Sequence, residues 1–315
     1  MLWTPPRRVS PPPPAPEHAG LEELRSVYAL SQPNLRALNG GVLFETNSDG
    51  FRGPETPKTK PDGVYRIAVI GDSFTMGWGV RREDAYPARL EAALNVDGEA
   101  RRVEVLNFGM AGRDAVASVK RFREKALPYD PDLAVFGFTL NDLENEHYRR
   151  ISVDLDAAAH GVTQSRSYLW RLFGPRLSSI SEVLWVPTGT YLHELDENYF
   201  ENPAAWQAAL AALDEFAAMA RARGICAVLL IHTRLHFLNV LHPYHRHYEA
   251  IAAAASERGI TPISTVEGFL GEKDRELWVH PGDPHPGAEA HGRLAESLQR
   301  GLEALPETCG LMRGG

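Results

Sequence analysis

Cysteine is nearly absent: 315 residues hold two, Cys226 and Cys309. With so few thiols, set far apart in the chain, a cysteine zinc site is not expected. With Cys226 in an apolar run and Cys309 near the C-terminus, no disulfide framework is expected. Long apolar runs are absent as well. None approaches the ~18 residues of a membrane span, so no membrane span is expected. The opening MLWTPPRRVSPPPPAPEH has no hydrophobic core of a secretion signal, and a cytoplasmic location is the expectation. Positive charge is not in excess. The formal net charge is -8, spread along the chain rather than blocked. A nucleic-acid or anionic-membrane partner needs a basic patch and is therefore not expected.

What is present is enough apolar material for a sizeable core, 43% of residues. Residues 1–18 read as a Pro-rich tail, and 19–64 as a lead-in of short strands and turns around Gly40 and Gly41. From Tyr65 the pattern turns regular. Apolar strands are expected at 65–71, 103–109, 132–139, 225–233 and 260–265. Helices are expected between and after them, at 84–95, 114–127, 203–224, 244–259 and 288–305. Alternation of this kind predicts an α/β protein, a three-layer α/β/α sandwich on a mainly parallel, flavodoxin-like sheet. One domain is expected over 65–305, with an aromatic-rich insertion at 143–202 and a short tail at 306–315.

In an open parallel sheet, ligands bind beyond the carboxyl ends of the strands. Four stretches lie at or near that edge. Gly71-Asp72-Ser73 follows the first regular strand and offers a serine at a turn. A serine hydroxyl is a weak nucleophile unless a base takes its proton. Gly112 closes the loop after the second strand and can present a bare backbone N–H to an oxyanion. Gly109 is the lesser candidate there. Asn141, in TLND, can add a side-chain amide. Last comes HPGDPHPGAEAH (280–291). Pro284 and Pro286 keep it out of helix, so Asp283 and His285 can share a side. Asp283 then accepts from Nδ1 of His285 and leaves Nε2 for the serine. Pro286 is expected in the first turn of the following helix. His280 is expected to play a local role and His291 to pack within that helix. Each stretch alone reads more readily as a turn or helix cap; their convergence carries the weight.

Together these stretches resemble the SGNH, or GDSL-type, hydrolase family. GDSF (71–74) is similar to its nucleophile block, NFGMAG (107–112) to its glycine block, TLND (139–142) to its asparagine block and DPHP (283–286) to its Asp/His block. NSDGFRGPE, ahead of the first strand, is similar to a lead-in of bacterial members. Three positions depart from the family pattern: Thr139, Gly287 and Ala290 stand where Gly, Asn and Gly are common. The resemblance implies a serine-dependent acyl-ester hydrolase with the SGNH-hydrolase fold. It implies a triad of Ser73, His285 and Asp283, with an oxyanion hole from the Ser73 and Gly112 N–H groups and the Asn141 amide. No metal or organic cofactor is implied, and the partner is a small-molecule or glycan acyl ester.

The alternative within the same chemistry is an O-acyltransferase that hands the acyl group to a sugar or small metabolite. A further rival is a scaffold that binds without turnover. HPYHRHY (242–248) brings His242, His245 and His247 close, with His232 and His236 upstream. It has neither a His-Glu-x-x-His pattern nor a nearby Cys, so lining of the site mouth or a solvated helix start is preferred to a metal. Trp170, Phe173, Trp185 and Tyr191 are expected to pack the insertion or line an acyl pocket.

Overall fold

Strands that are apolar at nearly every position need cover on both faces. The computed structural model, which describes residues 21, 30–96, 101–143, 191–201, 203–238 and 242–311, provides that cover. A hairpin comes first: β1 (Arg36–Asn39) and β2 (Val42–Glu45) turn through Gly40 and Gly41, both at positive φ. Then follow β3 (Val64–Gly71), α1 (Ser73–Met76), α2 (Tyr86–Leu94), β4 (Arg102–Asn107), α3 (Ala115–Arg121) and β5 (Leu133–Phe138). Next are α4 (Tyr191–Asp196), α5 (Pro203–Ala222), β6 (Cys226–Ile231), α6 (His245–Glu257) and β7 (Thr261–Ser264). β8 (Trp278–His280), β9 (Asp283–Pro286) and α7 (Ala288–Glu303) complete the order.

β3 to β7 form one parallel sheet in the order β4-β3-β5-β6-β7. This is the flavodoxin-like order, and its topological switch point lies between β3 and β5. Alternate strand residues face opposite layers. Ala68, Ile70, Ala134, Phe136, Leu229 and Ile231 pack under α3, α5 and α6 with Val119, Phe216 and Ile251. Ile67, Val69, Leu133, Val135, Val228 and Leu230 pack under α2 and α7 with Leu90, Leu294 and Leu298. β3 and β5, central in the sheet, are buried at every residue. α7 buries Ala290, His291, Leu294, Ala295, Leu298 and Leu302 at helical spacing. The α/β/α layering is therefore as the alternation predicts. Among the described residues no helix is long and apolar enough to cross a membrane.

Two features go beyond the sequence reading. Cys226 and Cys309 form a disulfide, with Cα atoms 5.5 Å apart across a sequence separation of 83. After α7 the chain comes back to the start of β6, where Tyr65 Oη also donates to the Cys309 carbonyl at 2.6 Å. A scarcity of cysteine excludes a framework of bridges, not a single one. The stretch around DPHP is not a loop but a ribbon strand, β9, antiparallel to β8. Pro286 ends that strand, and α7 starts at Ala288 behind an extended Gly287. A proline fits there because the ribbon is short and edge-like. Smaller shifts concern boundaries. β4 stops at Asn107, and the helix expected to Leu127 changes to a π turn over Phe122–Ala126. The Pro-rich tail, residues 144–190 and 202 of the expected insertion, and with them Trp170, Phe173 and Trp185, lie outside the described residues, as does the side chain of Tyr191.

Candidate active site

β3 delivers its last residue, Gly71, at φ +151, where an added Cβ would lie 2.3 Å from Thr75 Oγ1 and 2.6 Å from the Gly137 carbonyl. Only glycine lets the chain leave the strand so close to its neighbours. Asp72 then caps α1, its Oδ1 accepting from the Phe74 N–H at 2.9 Å. Ser73 is thereby the first residue of that short helix, 8% exposed at the sheet's carboxyl edge.

His285 comes to Ser73 from the ribbon. Its Nε2 lies 3.0 Å from Ser73 Oγ, and its Nδ1 lies 2.5 Å from Asp283 Oδ1. The same carboxylate oxygen accepts the His285 backbone N–H at 3.1 Å, and the Trp78 indole N–H donates to Oδ2 at 3.0 Å. Trp78 also stacks on the His285 ring, centroids 5.4 Å apart. Burial pushes the Asp283 carboxyl upward. The His285 ring, its charge, the backbone N–H and the Trp78 indole outweigh it and hold the group below the usual carboxylate range. An ionised carboxylate so held fixes the imidazole tautomer with a proton on Nδ1. The expected His–Asp pairing and the approach to the serine are both present in the geometry.

Asn141 follows β5 in the turn Leu140–Leu143 and is half-buried. That turn is tied by Asp142, whose Oδ2 accepts the Thr139 N–H at 2.8 Å. Ser73, Phe74, Thr139, Leu140, Asn141, Pro284 and His285 line one cavity of about 180 Å³, together with His232, Arg234, Leu235 and His236. Gly112 has φ +67 and is exposed on the turn after β4; it does not line this cavity. The Gly109 N–H is already taken, by Asn107 Oδ1 at 2.9 Å.

Two contributions were not legible in the sequence, and a third, His232, was legible only as one of several histidines that could line the site mouth. Trp78 holds Asp283 from a loop after α1. That loop is in turn held by Arg52, whose guanidinium donates to the carbonyls of Met76, Gly77 and Val80 at 3.2, 2.6 and 2.6 Å. Arg52 belongs to the NSDGFRGPE stretch, which gives that lead-in a physical task. His232, at the end of β6, lines the cavity while 1% exposed. It stacks on Phe74, and burial pushes its imidazole down to about 3. The spacing in HTRLH carries no signal for this, because the contact is set by sheet order.

The other histidines have local partners. His291 is buried and accepts the Tyr86 N–H on Nδ1 at 3.2 Å, so it packs as expected. His280 Nδ1 accepts the Gly282 N–H at 3.2 Å within the ribbon turn. His247 is buried with Nε2 2.9 Å from Asp196, His242 Nε2 is 3.3 Å from Tyr248 Oη, and His245 is exposed. Among the described residues no group of three or more His, Cys, Asp or Glu side chains is arranged to hold a metal ion.

Fold and geometry define a class: a parallel α/β sandwich with a serine, a histidine and an aspartate in hydrogen-bond contact at the carboxyl edge of its sheet. The family model of the GDSL-like Lipase/Acylhydrolase family matches residues 69–293, well over half of the chain, and the chain belongs to that family. It is an enzyme of the carboxylic ester hydrolase class. No curated protein sequence matches it. Among solved structures it is similar to TesA, with 18% identity, TM-score 0.46, and coverage of 76% of this chain and 98% of that one. It is also similar to a catalytic mutant of Axe2, an acetylxylan esterase from Geobacillus stearothermophilus, with 15% identity, TM-score 0.47, and coverage of 76% and 94%. A third is LAE5, an alpha/beta hydrolase enzyme from the metagenome of Lake Arreo, Spain, with 18% identity, TM-score 0.46, and coverage of 77% and 96%.

Proposed function

We propose that the chain hydrolyses acyl esters with Ser73 as nucleophile, His285 as general base and Asp283 as the residue that orients and charge-balances His285. The observation that supports this most is the unbroken run Ser73 Oγ to His285 Nε2 at 3.0 Å and His285 Nδ1 to Asp283 Oδ1 at 2.5 Å. Such a run lets the serine lose its proton as its oxygen bonds to the ester carbonyl carbon. The resulting oxyanion is held by the Ser73 N–H and the Asn141 amide; the Gly112 N–H, the third donor that the family resemblance implies, has to reach it from outside the cavity that the other two line. His285 then gives its proton to the leaving alcohol. Water, deprotonated by His285, attacks the acyl-enzyme, and Ser73 is restored. The chemistry needs no metal or organic cofactor. Residues 65–305 are proposed as the hydrolase domain, and the substrate as a small-molecule or glycan acyl ester. On location, the Cys226–Cys309 bridge favours an oxidising compartment over the expected cytoplasm.

Replacing Ser73 with Ala is expected to lower turnover of a small aryl ester by about four orders of magnitude or more. A fluorophosphonate probe is expected to label the wild type at Ser73. Undiminished turnover in the variant sinks the assignment. Adding candidate alcohol acceptors and weighing the products separates release to water from acyl transfer.

A further inference from the structure

The turn after β5 poses a problem of proton counting. Thr139 Oγ1 lies 2.6 Å from Asn141 Oδ1 and 3.0 Å from Asp72 Oδ2. A hydroxyl carries one proton, while an amide oxygen and an ionised carboxylate only accept. The other carboxyl oxygen, Asp72 Oδ1, is occupied by the Phe74 N–H. Asp72 is 1% exposed and Thr139 4%, so bulk water does not supply the missing donor.

Two arrangements satisfy the count. In the first, Asp72 carries a proton on Oδ2 and donates it to Thr139. The Thr139 hydroxyl then donates to Asn141 Oδ1, and the Asn141 NH₂ is left for the cavity. In the second, Asp72 is ionised and receives the Thr139 proton. Asn141 must then turn over, its NH₂ donating to Thr139 and its carbonyl oxygen left for the cavity. Amide orientation follows the hydrogen-bond network, and the orientation in the structure is the first one.

Resting on the reading of Ser73 as nucleophile, we propose that Asp72 acts as a neutral acid that, through the Thr139 hydroxyl, keeps the N–H groups of Asn141 turned toward the developing oxyanion. Asp72 and Thr139 are thus positioning residues. Thr139 stands where the family commonly has Gly, so this link belongs to the present chain.

Electrostatics points the same way. A carboxylate adjoining Ser73 would oppose a growing oxyanion in a site of low polarity, whereas a neutral acid does not. Burial pushes the Asp72 carboxyl up, against the Phe74 N–H, the Thr139 hydroxyl and the charge of His285. The groups around it come from five elements. α1 supplies Phe74. The turn after β5 supplies Thr139, Asn141 and the second acid, Asp142. β9 supplies His285. α2 supplies Tyr86, hydrogen-bonded to Thr75, and β6 supplies the neutral His232 stacked on Phe74.

The direct test uses the unaltered chain labelled with carboxyl-¹³C aspartate. Its carboxyl signals are followed by NMR across pH, and the Asp72 signal is assigned by its disappearance in Asp72→Asn. The expected result is a protonated Asp72 at pH 7, where exposed aspartates are ionised. An ionised Asp72 at pH 7 overturns the proposal.

Kinetics gives a second readout. Thr139→Val is expected to lower kcat by about 10- to 100-fold with KM unchanged, and Thr139→Ser to recover most of that loss. Asp72→Asn, whose NH₂ donates to Thr139 as the neutral acid does, is expected to recover most of the kcat that Asp72→Ala loses. The decline of wild-type kcat at high pH, as Asp72 ionises, should weaken in Asp72→Asn. A Thr139→Val enzyme with wild-type kcat overturns the proposal, as does an Asp72→Asn enzyme no better than Asp72→Ala. Ser73→Ala measured alongside distinguishes the failures. If turnover survives without Ser73, the nucleophile reading falls. If turnover needs Ser73 but not Thr139, the positioning role alone falls.

Discussion

Ser73 leaves β3, a strand buried at all eight residues, whereas Asp283 and His285 ride on β9, a four-residue strand paired with the three residues of β8. Behind the serine stand a central strand, the glycines 71 and 137 in close contact with Thr75, and a buried cap, Asp72. Behind the histidine stand a short ribbon and an acid whose side chain is 33% exposed. One half of the relay is fixed by the sheet. The other is fixed by a few named contacts, of which Trp78 reaches across from the β3 side. The difference teaches where small changes should matter. The serine's position is shared among many packed residues, while that of His285 depends on one carboxylate and one indole.

The strongest attempt to break this contrast is Asp283→Asn. It keeps the shape and removes the charge and the fixed acceptor for His285 Nδ1–H. The expected loss in kcat/KM is about 10²- to 10⁴-fold, with secondary structure by circular dichroism unchanged. A loss under about threefold would mean that the ribbon orients His285 without its acid.

Trp78→Phe is the milder probe. The ring stack on His285 can persist, but the 3.0 Å donor to Asp283 Oδ2 is gone. One hydrogen bond to a charged group is worth about 1.5–3 kcal/mol, and part of that bond is replaced by water at a half-exposed acid. A fall in kcat of about 3- to 10-fold with KM unchanged is expected from steady-state kinetics. Wild-type kcat in this variant would show that the ribbon needs no support from the serine side.

Legibility in the sequence follows the same divide. The sheet, its order and the layers could be read because central parallel strands are apolar at each position, as in YRIAVIG and DLAVFGFT. Ser73, Asn141, Asp283 and His285 stand out in the sequence as candidates because their stretches converge on one sheet edge and because Pro284 and Pro286 exclude helix. Trp78 and Arg52 do not, since each reaches its partner through topology. Trp78 and Asp283 are 205 positions apart. The ribbon is not legible, because three- and four-residue strands with two prolines show no alternation. The disulfide was missed because its two cysteines meet only after α7 has crossed back over the sheet.

The smallest effect concerns acid stability and sharpens the contrast from the buried side. Burial pushes His232 and His291 down to about 3 from an ordinary 6.5; for His291 the positive charges of Arg52 and Arg89 add to this. Above pH 6.5 both rings are neutral whether the chain is folded or not. Below it the unfolded chain takes up protons that the native state refuses. Stability is therefore present above 6.5 and is lost progressively as pH falls toward 3. Asp283, held low, gives up its contribution only as pH falls through its own lowered range, below most of that window. Asp72, raised by burial, works in the opposite direction and offsets part of the loss. Urea unfolding at pH 7 and pH 5 should show a drop in stability. In His291→Gln, whose amide oxygen can still accept the Tyr86 N–H, that drop should shrink by about 1–2 kcal/mol. A drop of the same size in both proteins would shift the acid sensitivity away from the buried end of the site and onto groups nearer the surface.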